Sequence, residues 1–133
     1  MSTKNIIDIE FAGGMKVDAR LGDTVIRTDQ SVKDGGGASA PTPFALFLAS
    51  LATCAGLYAK RFCESREIST QGLGLRAVCT YADKGFHVDD IIFEITLPTG
   101  FPEKYHDALL RAVDLCTVKK HISNPPQFSV RIV

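Results

Sequence analysis

Gly35–Ala59 reads GGGASAPTPFALFLASLATCAGLYA, 25 residues without a charge. Its three opening glycines and two prolines are the signature of a loop. Thr42 is a good helix N-cap, and Pro43 suits the first helical position, where its missing N–H is harmless. The stretch therefore predicts a helix from Pro43 to about Ser65. Lys60, Arg61, Glu64 and Arg66 cluster at its far end, where the helix dipole favours basic side chains. The strictly apolar part, Phe44–Ala59, has 16 residues and includes Ser50 and Thr53. A bilayer span needs about 20 apolar residues, so the helix is expected inside a protein core, buried on nearly all sides.

Upstream of this helix, Asn5 to Phe11, Met15 to Ala19 and Thr24 to Thr28 are short alternating segments. Ala12-Gly13-Gly14 and Leu21-Gly22-Asp23 separate them. They predict a meander of three antiparallel strands. Downstream, Leu73, Leu75, Ala77, Cys79 and Tyr81 share one face of a strand over Gln71 to Ala82. Ile91, Phe93, Ile95 and Leu97 share one face of another over Phe86 to Leu97. Asp83-Lys84-Gly85 is the hairpin turn between them. Pro102 to Leu115 predicts a second helix, and Cys116 to Ile122 a short third one. Asn124-Pro125-Pro126 stops it, and Phe128 to Val133 alternates as a final strand. The order is βββ-α-ββ-αα-β, an α+β fold in a single domain over 1–133.

The 15 basic and 15 acidic residues balance, and no basic run occurs. Neither nucleic acid nor an anionic membrane is an expected partner. Apolar residues make up 45%, which excludes disorder. The N-terminus shows no basic stretch followed by an apolar core, so no secretory signal is expected. A cytoplasmic chain with reduced cysteines follows. No C-x-x-C pair occurs and His87, His106 and His121 are scattered, so no metal site is expected.

Two cysteines could carry chemistry. Cys54 lies mid-helix in Ala52-Thr53-Cys54-Ala55-Gly56, where small neighbours let another group approach closely. A free cysteine is equally at home as a small buried hydrophobe. Cys116 falls at the junction of two helices. If it opens the short one, backbone N–H groups and Lys119 and Lys120 favour its thiolate; otherwise it is a core residue beside solvated lysines. Cys63, nine residues after Cys54, points to the opposite side of the same helix at 100° per residue. Cys79 shares an apolar strand face. Both read as structural.

Thr28-Asp29-Gln30, the loop from Gly35, and the run Pro43 to Cys54 resemble the OsmC/Ohr superfamily. Its members have a loop ending in proline, a long apolar helix, and a cysteine about eleven residues after that proline. Cys116-Thr117-Val118-Lys119 resembles the family's second, C-x-V-x-K segment. The resemblance implies an OsmC-like intertwined homodimer with two interface sites. It implies a thiol peroxidase needing no metal or nucleotide cofactor. Cys54 would attack an organic hydroperoxide, Cys116 would resolve the sulfenic acid as a disulfide, and an external dithiol would reopen it. Peroxidase members carry a glutamate after the proline and an arginine in the preceding loop. Here Phe44 occupies the acid's place, and Lys33 or Arg27 stands for the arginine. Lysine is a point charge and not a planar clamp. Phe44, Phe47 and Leu48 would line an apolar substrate entrance. Two other readings are open: a non-catalytic small-ligand-binding dimer, and a redox sensor switching by the same disulfide.

Overall fold

The side chain of Thr42 fixes where the long helix starts: its Oγ1 accepts the backbone N–H of Ala45 at 3.1 Å. In the computed structural model, which describes residues 2–133, helix α1 accordingly runs Pro43–Ser65. Strands β1 (Asp8–Phe11), β2 (Val17–Leu21) and β3 (Thr24–Ile26) precede it, and β4 (Gly74–Tyr81), β5 (Val88–Thr96), α2 (His106–Asp114) and α3 (Thr117–Ser123) follow. The chain divides into two compact units, one ending at Leu48 and the other spanning Ala49–Val133.

In the first unit, β1, β2 and β3 form the expected antiparallel meander, with Ile9 opposite Ala19 and Ala19 opposite Ile26. The β1–β2 turn needs positive φ at Gly13 (92°) and Gly14 (56°), which glycine adopts without a Cβ penalty. The loop after β3 is closed by Asp29, which is fully buried. Its carboxylate accepts the Ser39 hydroxyl at 2.6 Å and the N–H groups of Ser39, Gln30 and Gly37 at 3.1, 2.8 and 3.2 Å. Gly36 lies so close that a Cβ there would stand 2.1 Å from the Gln30 carbonyl oxygen. The Ser39 hydroxyl, followed by these backbone N–H groups, holds the Asp29 carboxyl at about 2 against burial. The folded pKa is depressed, so the stabilisation is complete above the unfolded value and disappears as pH falls from about 4 toward 2. Urea titrations of the wild type and Asp29→Asn should therefore differ most above pH 4 and converge on acidification.

The second unit owns the core. Ala55 and Ala59, one helical turn apart, pack with Phe62, Leu109 and Val113, all buried. Leu75, Phe93, Ile95, Leu97 and Tyr105 close over them. The β4–β5 register puts Leu75 opposite Ile95, Ala77 opposite Phe93 and Cys79 opposite Ile91, so the alternating apolar faces coincide as expected. Phe62 meets Tyr105 edge-on, ring centres 6.1 Å apart, and α2 presents Leu109 and Val113 to the same core.

Two expectations change. The long helix is not buried on nearly all sides within this chain: Leu51, Ala55, Ala59, Phe62 and Cys63 make one buried stripe, while Phe47 and Leu57 are exposed. One α2 helix and one two-stranded sheet cannot surround an apolar cylinder. At 23 residues, α1 is long and apolar enough by length and composition to cross a membrane; its buried stripe packs on protein. The final strand over Phe128–Val133 is unpaired, and Phe128, Val130, Ile132 and Val133 are exposed. A strand forms only against an edge, and no edge within the described residues receives this one.

Candidate functional site

Cys54 is half-buried on α1, and Cys116 is 2% exposed as the N-cap of α3. Leu115 ends α2, and the Cys116 N–H donates to the Val113 carbonyl at 3.2 Å. The turn so made aims the first amides of α3 back at α1. The two thiols meet: the Cys116 S–H donates to the Cys54 sulfur. Burial opposes ionisation of Cys54. The Cys116 hydrogen bond, the backbone N–H groups of Val118 and Thr117 and the charge of Arg61 outweigh it, so the Cys54 pKa is lowered. Cys116 moves the other way. Burial raises its pKa, the bond to Cys54 raises it further, and the N–H groups of Lys119 and Val118 do not compensate. Within the pair, ionisation is therefore favoured at Cys54 over Cys116.

Of the two readings of Cys116, an activated thiol at a helix start and a buried junction residue, the raised pKa favours the second. Cys116 does open α3, but its burial and its partner dominate, and Lys119 pairs with Asp114. Cys63 is completely buried and its pKa is raised, by burial first, as suits a structural thiol on the far side of α1. Cys79 is half-buried in β4. All four cysteines are free.

Arg27, Lys33, Phe44, Phe47 and Leu48 belong to the unit ending at Leu48. Arg27 is exposed after β3 and lines a recess with Lys16, Asp18 and Ser39. Lys33 is exposed in a 3-10 turn, Val32–Asp34, capped by Ser31. Phe44 and Phe47 stack at a tilt, centres 5.7 Å apart, and Leu48 is half-buried. Among residues Ala49–Val133, the cation acting on Cys54 is Arg61, seven residues on. Seven residues turn a helix by nearly two full turns, so Cys54 and Arg61 share a face; that spacing was the signal for it. Tyr58 lies between them, and its hydroxyl is 2.8 Å from Thr117 Oγ1, tying α1 to the residue after Cys116. No group of three or more potential metal-ligating side chains occurs among the described residues.

The family model described as OsmC-like protein matches residues 35–131. The match runs across both units. A Psychrobacter arcticus 273-4 protein, assigned to osmotic stress induction and detoxification response, has a similar structure. Its TM-score is 0.75 at 20% identity, over 90% of this chain and 89% of that one. An OsmC-like protein of Mycoplasma pneumoniae gives a TM-score of 0.70 at 16% identity, over 94% and 91%. An organic hydroperoxide resistance protein, OsmC, of Legionella pneumophila gives 0.61 at 18% identity, over 90% and 89%. No curated protein matches the chain. With the family model covering most of its length, and with this mixed α+β fold shared by the solved structures, the chain belongs to the OsmC family.

Proposed function

We propose that this protein is a cysteine-based thiol oxidoreductase that reduces organic hydroperoxides. The observation that carries the reading is the hydrogen-bonded pair, with the Cys54 pKa lowered and the Cys116 pKa raised. The Legionella pneumophila protein of similar fold, an organic hydroperoxide resistance protein, supports a redox role. The Cys54 thiolate attacks the terminal peroxide oxygen. An S–O bond forms, the O–O bond breaks, and the alkoxide takes a proton and leaves as an alcohol. The Cys116 thiol then condenses with the sulfenic acid, forming S–S and releasing water. An external dithiol reduces the disulfide and is itself oxidised. Neither metal nor nucleotide enters the cycle. Lys33 and Arg27 remain candidates for orienting the peroxide, and Phe44, Phe47 and Leu48 for its apolar entrance. Such a cycle suits a reducing compartment such as the cytoplasm.

The test is peroxide consumption with dihydrolipoamide. Turnover of cumene hydroperoxide faster than hydrogen peroxide is expected; absence of turnover with both would overturn the reading. A small-ligand-binding dimer is then the alternative. A recess of about 520 Å³ lined by Leu51, Ile91, Phe93, Ile95, Leu110 and Ile122 favours it.

The working unit in this proposal is a homodimer. An added Cβ at Gly56 would meet nothing within 4 Å, so the close approach allowed beside Cys54 is not made among the described residues. The exposed faces of α1 and the unpaired Phe128–Val133 segment offer apolar surface and strand edge to a second copy. Light scattering should give twice the 14.4 kDa chain mass. Deleting residues 128–133 should shift it toward the monomer.

A further inference from the structure

Helix α3 has seven residues, and none of its side chains is buried. Isolated helices shorter than about 12 residues are marginal in water, and Pro125 and Pro126 prevent this one from extending. Its place in the fold is therefore set by its ties to other elements. On the α2 side, the Cys116 N–H donates to the Val113 carbonyl at 3.2 Å, and Lys119 pairs with Asp114. On the α1 side, the Tyr58 hydroxyl and Thr117 Oγ1 share a hydrogen bond of 2.8 Å.

That second tie falls where α3 acts on the reactive thiol. The first N–H groups of a helix have no intrahelical acceptor. In α3, those of Thr117 and Val118 donate to the Cys54 sulfur instead. Tyr58 stands four residues after Cys54 on α1, one turn on and on the same face. Its ring is a rigid strut, half-buried between the α1 backbone and Thr117. The strut sets how the Thr117 and Val118 amides meet the sulfur one turn away. Hydrogen bonds weaken steeply when they are bent, so a small displacement of α3 is enough to lose them. The titratable and charged groups acting on Cys54 are Cys116, at the start of α3, and Arg61, on α1. Arg61 does not hold α3, and Cys116 is itself part of what must be held.

We propose that Tyr58 is a positioning residue for Cys54: its hydroxyl, through Thr117, holds the first turn of α3 so that the Thr117 and Val118 amides meet the Cys54 sulfur. The inference rests on the redox reading above. It adds a residue that acts through Thr117 and not on the reacting atoms.

Tyr58→Phe removes one oxygen and keeps the ring. The reduced wild type and variant are alkylated with iodoacetamide from pH 5 to 10, and the Cys54 peptide is followed by mass spectrometry. With fewer donors on the thiolate, ionisation needs a higher pH. Below the midpoint of the profile, Tyr58→Phe should label about three- to tenfold more slowly, the scale of one hydrogen bond. At high pH, where Cys54 is ionised in both proteins, the rates should converge. Thr117→Val, at an exposed position, should displace the profile in the same direction. Thr117→Ser should recover most of the rate that Thr117→Val loses. Combining Tyr58→Phe with Thr117→Val should add little to either alone, because both remove the same bond. The first equivalent of cumene hydroperoxide should be consumed more slowly at pH 6 by the same factor.

A purely structural role would lower the urea midpoint of Tyr58→Phe and leave its alkylation profile in place; that result overturns the proposal. A double variant whose loss is the product of the two single losses overturns the route through Thr117. If Tyr58→Phe does not fold, the Thr117→Val and Thr117→Ser pair decides, and equal profiles for those two overturn the proposal. If the wild type consumes no peroxide, the redox reading fails, while the alkylation profiles still decide the role of Tyr58.

Discussion

Cys54→Ser should abolish peroxide turnover, by at least about a thousandfold, the scale on which enzymes lose rate with their covalent nucleophile. A serine hydroxyl at that position stays protonated at neutral pH, since the groups that lower the Cys54 pKa cannot bridge the gap to an alcohol. Cys116→Ser should behave differently. It keeps the Cys54 thiol and puts a serine O–H, itself a donor, where the Cys116 S–H stood. The first equivalent of peroxide should be consumed at a rate near that of the wild type. The enzyme should stop there, with a sulfenic acid that dimedone traps. Rapid-quench measurement of alcohol formed per site separates the two variants: none for Cys54→Ser, one for Cys116→Ser. Sustained turnover in either variant would remove the assigned roles.

Leu109→Ala should cost about 2–5 kcal/mol of stability, the range for deleting a fully buried leucine side chain. Leu109 is 1% exposed and packs with Ala55, Ala59, Phe62 and Val113. Two of those neighbours are alanines on a helix backbone and cannot move in to fill the space. The cavity stays open, which places the cost high in that range. The same substitution at Leu110, which is 58% exposed in this chain, should cost much less in the chain itself. Urea unfolding of both variants measures the difference. If Leu110→Ala proves equally damaging, a second copy covers that face.

Local features were legible because local chemistry sets them. Thr42 and Pro43 start α1 by capping, and alternation in β4 and β5 aligns Leu75 with Ile95 because one face must be apolar. The Cys54–Cys116 pair was legible through resemblance alone: 62 residues separate the two, and no local rule brings them together. The direction of the Cys116 pKa was not legible, because burial and the partner thiol are tertiary effects. Arg61 was open to discovery from its seven-residue spacing. Asp29 was quoted within a motif, yet its four hydrogen bonds depend on a loop conformation that the glycine run permits but does not spell out. The apolar patterns of Phe128–Val133 and α1 were legible, but pattern does not say which surface covers them: among the described residues the first pairs with no strand, and α1 is covered along one stripe only.

The central claim is that Cys54 and Cys116 form one redox couple. Peptide mapping of the reduced protein after one equivalent of cumene hydroperoxide tests it most directly. The account predicts a single disulfide joining the Cys54 and Cys116 peptides, one alcohol released per disulfide, and Cys63 and Cys79 still free. Cys54 and Cys116 both recovered as thiols, or a disulfide joining another pair, would contradict it.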